Sequence, residues 1–250
     1  MLETLFNHRS IRKYKPDAID PVKLDIILEA ATRASNTGNM QVYSILVTRD
    51  AAIREKLWEA HFKQDMVLQA PLHLTFCADF NRFSKWCEQR MASPGYDNYL
   101  SFLTGAIDAM IAAQNAAIAA ESLGLGICYL GTATWMAGRM IEILDLPKLV
   151  VPVTALVIGY PDEEPQLTDR LPVDGVVHYE KYKDYTPLDI NRIHLEKESL
   201  ESTLELLKIN GKETLAQIFT DNRYKGVDNR FFSRAFLSVL EKQGFMCNED

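Results

Sequence analysis

The sequence predicts an α+β fold: a central sheet with helices on both faces, one long buried helix and a helical C-terminal extension. Three observations carry this. Four short apolar runs, at 43–48, 72–78, 127–130 and 150–158, read as strands. They do not alternate with helices in the regular order of a doubly wound sheet. The stretch 101–132 is alanine-rich and carries no charge between Asp108 and Glu121. Alanine is the best helix former, and apolar residues all round a helix imply burial. After Gly159-Tyr160-Pro161 the chain turns polar and proline-bearing before amphipathic helical patterns resume.

Taken in order, 2–8 reads as a short helix with Leu2, Leu5 and Phe6 on one side. Pro16 and Pro21 bracket a loop, and Pro21 sits near a helix start, where proline is tolerated. Leu24, Ile27, Leu28 and Ala31 keep helical spacing. The polar loop 34–41 leads into the strand at 43–48. A helix follows at 50–60, with Asp50 as its cap. A shorter one at 64–69 is closed by Pro71. After the buried strand at 72–78, helix is expected at 79–91 and a turn-rich loop at 92–97. Gly124 and Gly126 end the long helix, whose small side chains would let another backbone approach closely, such as the same helix of a second subunit. Gln114 and Asn115 in mid-run argue against a membrane span. Helix is expected again at 135–144. Pro152 marks the last strand as beginning there or lying at an edge. The chain divides into a core at 1–161, a long arm at 162–186 and a helical extension at 187–250, all in one domain. Within the extension, a single amphipathic helix is expected at 187–209 and another at 228–242.

At 250 residues, with 47% hydrophobic and 24% charged residues, the chain can build a real core. Its net charge of -7 argues against nucleic acid or an anionic membrane as partner. The first ten residues lack the apolar core of a signal peptide. The four cysteines are scattered without a CxxC pair, which suits reduced thiols in a cytoplasmic protein.

The motifs are individually weak. His8-Arg9-Ser10-Ile11-Arg12 offers two guanidinium forks, suited to phosphate oxygens. The loop 35–41 is dense in amides and hydroxyls. Arg170 sits between Pro165 and Pro172, which stiffen its segment. No P-loop, no GxGxxG and no HExxH are present. His61 and His194 read as surface residues. With no convincing acid-base pair, an enzyme of this sequence would rely on a cofactor.

Together, these segments resemble the nitroreductase family of flavin mononucleotide (FMN) enzymes, most closely its oxygen-insensitive, NADPH-dependent nitroreductase and flavin reductase branch. The resemblance covers nearly the whole chain. The family's H-R-S-x-R pattern stands at His8–Arg12 and its A-S-x-x-x-N-x-Q pattern at Ala34–Gln41. The branch's second strand and turn are similar to 76–82, and its central helix and strand to 112–131. Its crossing segment is similar to Gly159-Tyr160-Pro161 with Arg170-Leu171-Pro172 and His178.

This resemblance implies a three-layer α/β/α arrangement around a mixed, mainly antiparallel sheet. It also implies an intertwined homodimer with FMN at the interface. Arg9 and Arg170 would hold the phosphate or flavin edge, with His8, Ser10 and Arg12 beside them. Ser35, Asn36, Asn39 and Gln41 would line the ring and ribityl chain. Gln64 falls where the branch has a flavin-contacting glutamine, and Tyr129, Gly131 and Thr132 would bring backbone groups to the ring. Two departures stand out. Thr168 replaces a lysine often found two positions before the arm's arginine, which would lower the flavin potential unless a residue such as Lys13 compensates. Thr132 replaces a second glycine. The implied activity is NAD(P)H oxidation with reduction of a nitroaromatic, quinone or free flavin. NADPH is favoured over NADH by the branch alone, with Lys208, Lys212, Arg223 and Lys225 in the general region that would bind its 2′-phosphate. A flavin-binding protein without turnover, a same-fold enzyme acting on a specific metabolite and a flavin-free scaffold are the alternatives.

Overall fold

The computed structural model describes residues 2–248, which divide into two compact units. One comprises the described residues up to Gln166 together with those from Ser233 onward, the other Leu167–Phe232.

The first unit is built on a four-stranded antiparallel sheet of order β1-β2-β4-β3, with β1 at Tyr43–Thr48, β2 at Leu72–Asp79, β3 at Gly126–Leu130 and β4 at Val150–Gly159. Alternation along the strands sorts the side chains onto two faces. Leu72, Leu74, Phe76, Ile127, Leu156 and Ile158 face one core, with Leu24 and Ile27 of α2 (Pro21–Thr32) and the alanines of α6 (Tyr99–Ser122). Cys128, Leu130, Ala155 and Val157 face the other, under α3 (Ala51–Ala60), α4 (Met66–Gln69), α7 (Thr132–Trp135) and α8 (Ala137–Ile143). Every residue of β2 is buried, as an interior strand covered on both faces requires. Two further helices of this unit are α1 (Leu2–Phe6) and α5 (Asn81–Gln89).

Several sequence expectations need correction. Pro152 lies in β4, an interior strand, rather than at an edge. It is tolerated there because β3 pairs only with the 155–159 half of β4, and Pro152 faces Cys77 beside a register shift at which Val153 of β4 is the extra residue. Most of the small residues of α6 pack within the chain itself. Ala109, Ala112, Ala113, Ala116, Ala117 and Ala120 are buried against the sheet and α2. The opposite face of α6 exposes Leu100, Leu103, Ile107, Met110 and Ile111. Among the described residues, α6 is the one helix long and apolar enough to cross a membrane, and its alanine face is core.

The second unit opens with the arm. Its helices are α9 (Pro187–Ser199), α10 (Glu201–Asn210) and α11 (Leu215–Gln217), followed by a π-helical turn at Ile218–Arg223. α12 (Gly226–Gln243) runs on into the first unit. The single helix expected at 187–209 is broken at Leu200, which is extended at ψ 137°. Ser199 Oγ donates to the Leu195 carbonyl and Thr203 Oγ1 to that of Lys197. These side chains take carbonyls that a continuous helix would use. α9 begins with a capping box between Thr186 and Asp189 and with Pro187 in its first turn.

Candidate functional site

Three stretches of the first unit carry most of the residues that the resemblance singles out. The N-terminal stretch is laid along β3. Ile11 N donates to the Ile127 carbonyl at 2.9 Å, Ser10 makes an isolated parallel bridge to Ile127, and Lys15 N donates to the Tyr160 carbonyl. Gly126 permits this approach: a Cβ there would stand 2.6 Å from Ile11 Cγ1. His8 Nδ1 then lies 2.7 Å from Glu121 Oε1, and Glu163 Oε1 accepts from the backbone N–H groups of Arg12 and Lys13. The Arg12 side chain turns back to the Ser10 carbonyl at 3.4 Å. Arg9 lines a cleft of about 330 Å³ with Glu3, Asn7, Glu121 and Gly126. Among the described residues its buried Nε has no hydrogen-bond partner, and its NH1 makes a long contact of 3.7 Å to the mostly exposed Glu164. An under-satisfied guanidinium beside a cleft suits an anionic oxygen.

The loop after α2 is a compact turn with Gly38, Asn39 and Gln41 all at positive φ, between 53° and 56°. Gln41 N donates to Asn36 Oδ1, and Gln41 Nε2 to Asn39 Oδ1, each at 3.2 Å. Ser35, Asn39 and Gln41 are exposed. Thr37 anchors the turn to α6, donating from N and Oγ1 to Asp108 Oδ1 at 2.9 and 3.1 Å. From the other side, Arg82 NH2 reaches the carbonyls of Gln41 and Tyr43.

The third stretch gathers on His61. Gln64 Nε2 donates to the His61 carbonyl at 3.0 Å, and His61 Nδ1 lies 2.7 Å from Thr132 Oγ1. Its Nε2 meets His73 Nε2 at 3.2 Å. His61 is fully buried, not on the surface, because it closes α3 over the sheet face onto which alternation turns His73. Burial drives both imidazoles towards the neutral form, taking His61 from 6.5 down to about 4; for His73 the neighbouring His61 and Arg54 add to the effect. Gly131 begins the turn into α7, and a side chain there would meet nothing within 4 Å, so its backbone is open to approach. Tyr129 OH donates to Gln114 Oε1 at 3.1 Å, and burial raises its phenol.

Thr168 and Arg170 lie in the second unit, where Arg170 NH1 folds back to donate to Thr168 Oγ1 at 2.6 Å. The neighbouring Asp169 pairs with Lys197 at 3.0 Å.

Asp108, His61, His73 and Arg82 were not among the expected site residues. For Asp108 a signal was available. The two charges that bound the charge-free run each fasten a motif to α6: Asp108 holds the 35–41 turn, and Glu121 holds His8. His61 and His73 had none, since their pairing depends on which way each element faces.

With this geometry described, likeness to known proteins decides the family. The profile of the Nitroreductase family matches residues 5–160. The chain belongs to the nitroreductase family. It is 34% identical over 250 residues to an FMN reductase [NAD(P)H] of Bacillus subtilis (strain 168), covering 98% of this chain and 97% of that one. It is 35% identical over 246 residues to an oxygen-insensitive NADPH nitroreductase of Salmonella typhimurium, with the same coverage. A crystal structure from Bacteroides fragilis NCTC 9343 superposes with a TM-score of 0.96 at 51% identity, covering 98% of this chain and 99% of that one. The NADPH:FMN oxidoreductase of Vibrio harveyi complexed with NAD+ gives 0.79 at 29% identity, covering 99% of this chain and 99% of that one. Within this nitroreductase-family chain, the two histidines that meet at His61 Nε2 are thus side chains of α3's C-terminal cap and of β2, not of any polar loop.

Proposed function

We propose that this protein is an FMN-dependent NAD(P)H oxidoreductase that reduces nitroaromatics, quinones or free flavins. The observation that carries the reading is the convergence of Gln64 and Thr132 on His61, next to the open backbone turn at Gly131. Two flavin-associated positions far apart in sequence meet in one place. FMN, when bound, supplies the two-electron chemistry between nicotinamide and acceptor.

The protein's own residues bind and orient. Arg9, whose buried Nε has no partner among the described residues, and Arg12 supply positive charge for the phosphate, with His8 and Ser10 beside them. The exposed Ser35, Asn39 and Gln41 and the half-buried Asn36 offer amides and a hydroxyl for ring edges and ribityl hydroxyls. Gln64, Tyr129, Gly131 and Thr132 address the ring, and Thr168 and Arg170 complete the assigned set. Residues 1–250 act as one catalytic domain in this reading. Relatives named for NADPH support that donor, with NADH as a second possibility.

The functional form is a homodimer. The exposed apolar stripe of α6 supports this, because contiguous apolar patches on soluble proteins mark interaction sites. A cytoplasmic location suits the buried free thiols of Cys77, Cys87 and Cys128. The test is direct. Purified protein should release FMN on denaturation, and its visible spectrum should bleach when NADPH is added without oxygen. Protein that binds no FMN after incubation with excess cofactor would end this reading. Bound FMN that NADPH fails to bleach would leave a flavin binder without turnover.

A further inference from the structure

The segments 61–64 and 131–135 meet twice. Their inner contact is polar, with His61 Nδ1 2.7 Å from Thr132 Oγ1. Their outer contact is aromatic. Phe62 follows His61, and Trp135 stands one helical turn beyond Thr132 on α7. The two rings meet edge to face, with centroids 6.2 Å apart and planes at 68°. Both residues remain exposed, Phe62 at 48% and Trp135 at 37%. Two large aromatic side chains thus stand on the solvent side of the turn that the flavin reading assigns to the ring. The backbone beneath them is strained. Phe62 and Lys63 sit at φ 55° and 58°, a region disfavoured for bulky side chains. Each is held by an aromatic neighbour: Phe62 meets Trp135, and Lys63 Nζ lies 5.4 Å from the centre of the Trp58 ring. Phe62 leaves nearly half its surface in solvent, so core packing does not account for the strain. Strain retained at an exposed position is a mark of function.

We propose that Phe62 and Trp135 are specificity-determining residues, two walls of a corner that receives planar aromatic electron acceptors. Aromatic rings favour offset stacking or edge-to-face contact. Because the two planes stand at 68°, a flat ring stacked on one wall turns its edge towards the other, and both favoured geometries are met at once. A nitroarene or a quinone is little more than its ring, with no ribose or phosphate by which to be held. A nicotinamide is tethered by the rest of its dinucleotide. The corner therefore acts on the acceptor and not on the hydride donor. The inference rests on the flavin reading above.

The test begins without the cofactor. In FMN-free protein, Phe62→Gly, which relieves the positive φ, should unfold at the denaturant concentration of the parent or above it. A clear loss of stability assigns Phe62 to packing and overturns the proposal. In FMN-loaded protein, para-nitrobenzoate added without NADPH should perturb the flavin spectrum. Its Kd should rise about three- to tenfold in Phe62→Gly and in Trp135→Leu, the scale of one lost ring–ring contact. Trp135→Phe, which keeps a ring, should stay within about twofold of the parent. In both ring-deleting variants kcat/KM for para-nitrobenzoate should fall, while FMN reduction by NADPH and turnover with ferricyanide, which has no ring to stack, stay within about twofold of the parent. Equal losses with NADPH or ferricyanide, or an unchanged Kd for para-nitrobenzoate, overturn the proposal while leaving the flavin reading intact. Failure of the parent protein to bind FMN removes both.

Discussion

Thr37 and Asp108 are joined twice, because the backbone N–H and the hydroxyl of Thr37 both donate to the same carboxylate oxygen, Oδ1. The carboxylate is 1% exposed, and its Oδ2 has no partner among the described residues. One side chain of α6 therefore sets the position of the whole 35–41 turn. Hydrogen bonds to a charged group contribute about 1.5–3 kcal/mol. Asp108→Ala should lose roughly that much stability in denaturant unfolding and also weaken FMN binding in a fluorescence titration. Asp108→Asn, which keeps an acceptor at Oδ1, should lose less of both. A stability loss with unchanged FMN affinity would remove the 35–41 turn from the flavin site.

The strands, the long helix and the N-terminal and 35–41 motifs were legible because each is written locally, in apolar runs, in an alanine-rich stretch or in a cluster of polar groups. What stayed hidden depends on facing. β2 reads as a continuous apolar run, so nothing local says that His73 turns towards α3 while Leu72 and Leu74 turn towards α6. The break at Leu200 was hidden for another reason, since Ser199 and Thr203 are neutral in a periodicity argument until their hydroxyls are seen taking carbonyls. The alanines of α6 announced close packing but not its partner, which is the chain's own sheet and α2.

The exposed stripe Leu100, Leu103, Ile107, Met110 follows helical spacing along α6. If it is the dimer face, a charge at its centre must be desolvated on association, a strong penalty for an unpaired group. Ile107→Glu should shift the protein to monomer in sedimentation velocity at micromolar concentration, with FMN affinity falling in parallel. A dimer that persists in both Ile107→Glu and Leu103→Glu places the interface elsewhere.

Gly126 is where the N-terminal stretch meets β3. Gly126→Ala places a Cβ against Ile11 Cγ1, Cβ and Cγ2, at 2.6 to 3.1 Å. Ile11 is buried and branched, so the backbone must yield. Overpacking of this kind costs about 1–3 kcal/mol. Since Arg9 and Arg12 lie on either side of Ile11, Gly126→Ala should weaken FMN binding more than Gly95→Ala, whose added Cβ meets nothing within 4 Å and which lies outside the assigned site. Titration of both variants checks the order.

Burial of His61 should make the fold sensitive to mild acid. Its pKa falls from 6.5 in the unfolded chain to about 4 in the folded protein, chiefly through desolvation. Between those values the unfolded chain binds a proton that the folded protein refuses. The unfolded state is then favoured as pH falls, and stability rises with pH through the same window. His73 moves in the same direction, from desolvation first and then from the neighbouring His61 and Arg54. Each histidine that is protonated only when unfolded contributes a slope of up to about 1.4 kcal/mol per pH unit. Denaturant unfolding should therefore show stability near its plateau above about pH 6.5 and declining towards pH 5, before carboxylates contribute much. Replacing His61 by Asn, which keeps a polar group near Thr132 without the titration, should flatten that decline by about one histidine's share, even if its stability at pH 7 is lower. An equally steep decline in His61→Asn would assign the acid sensitivity to groups other than this pair.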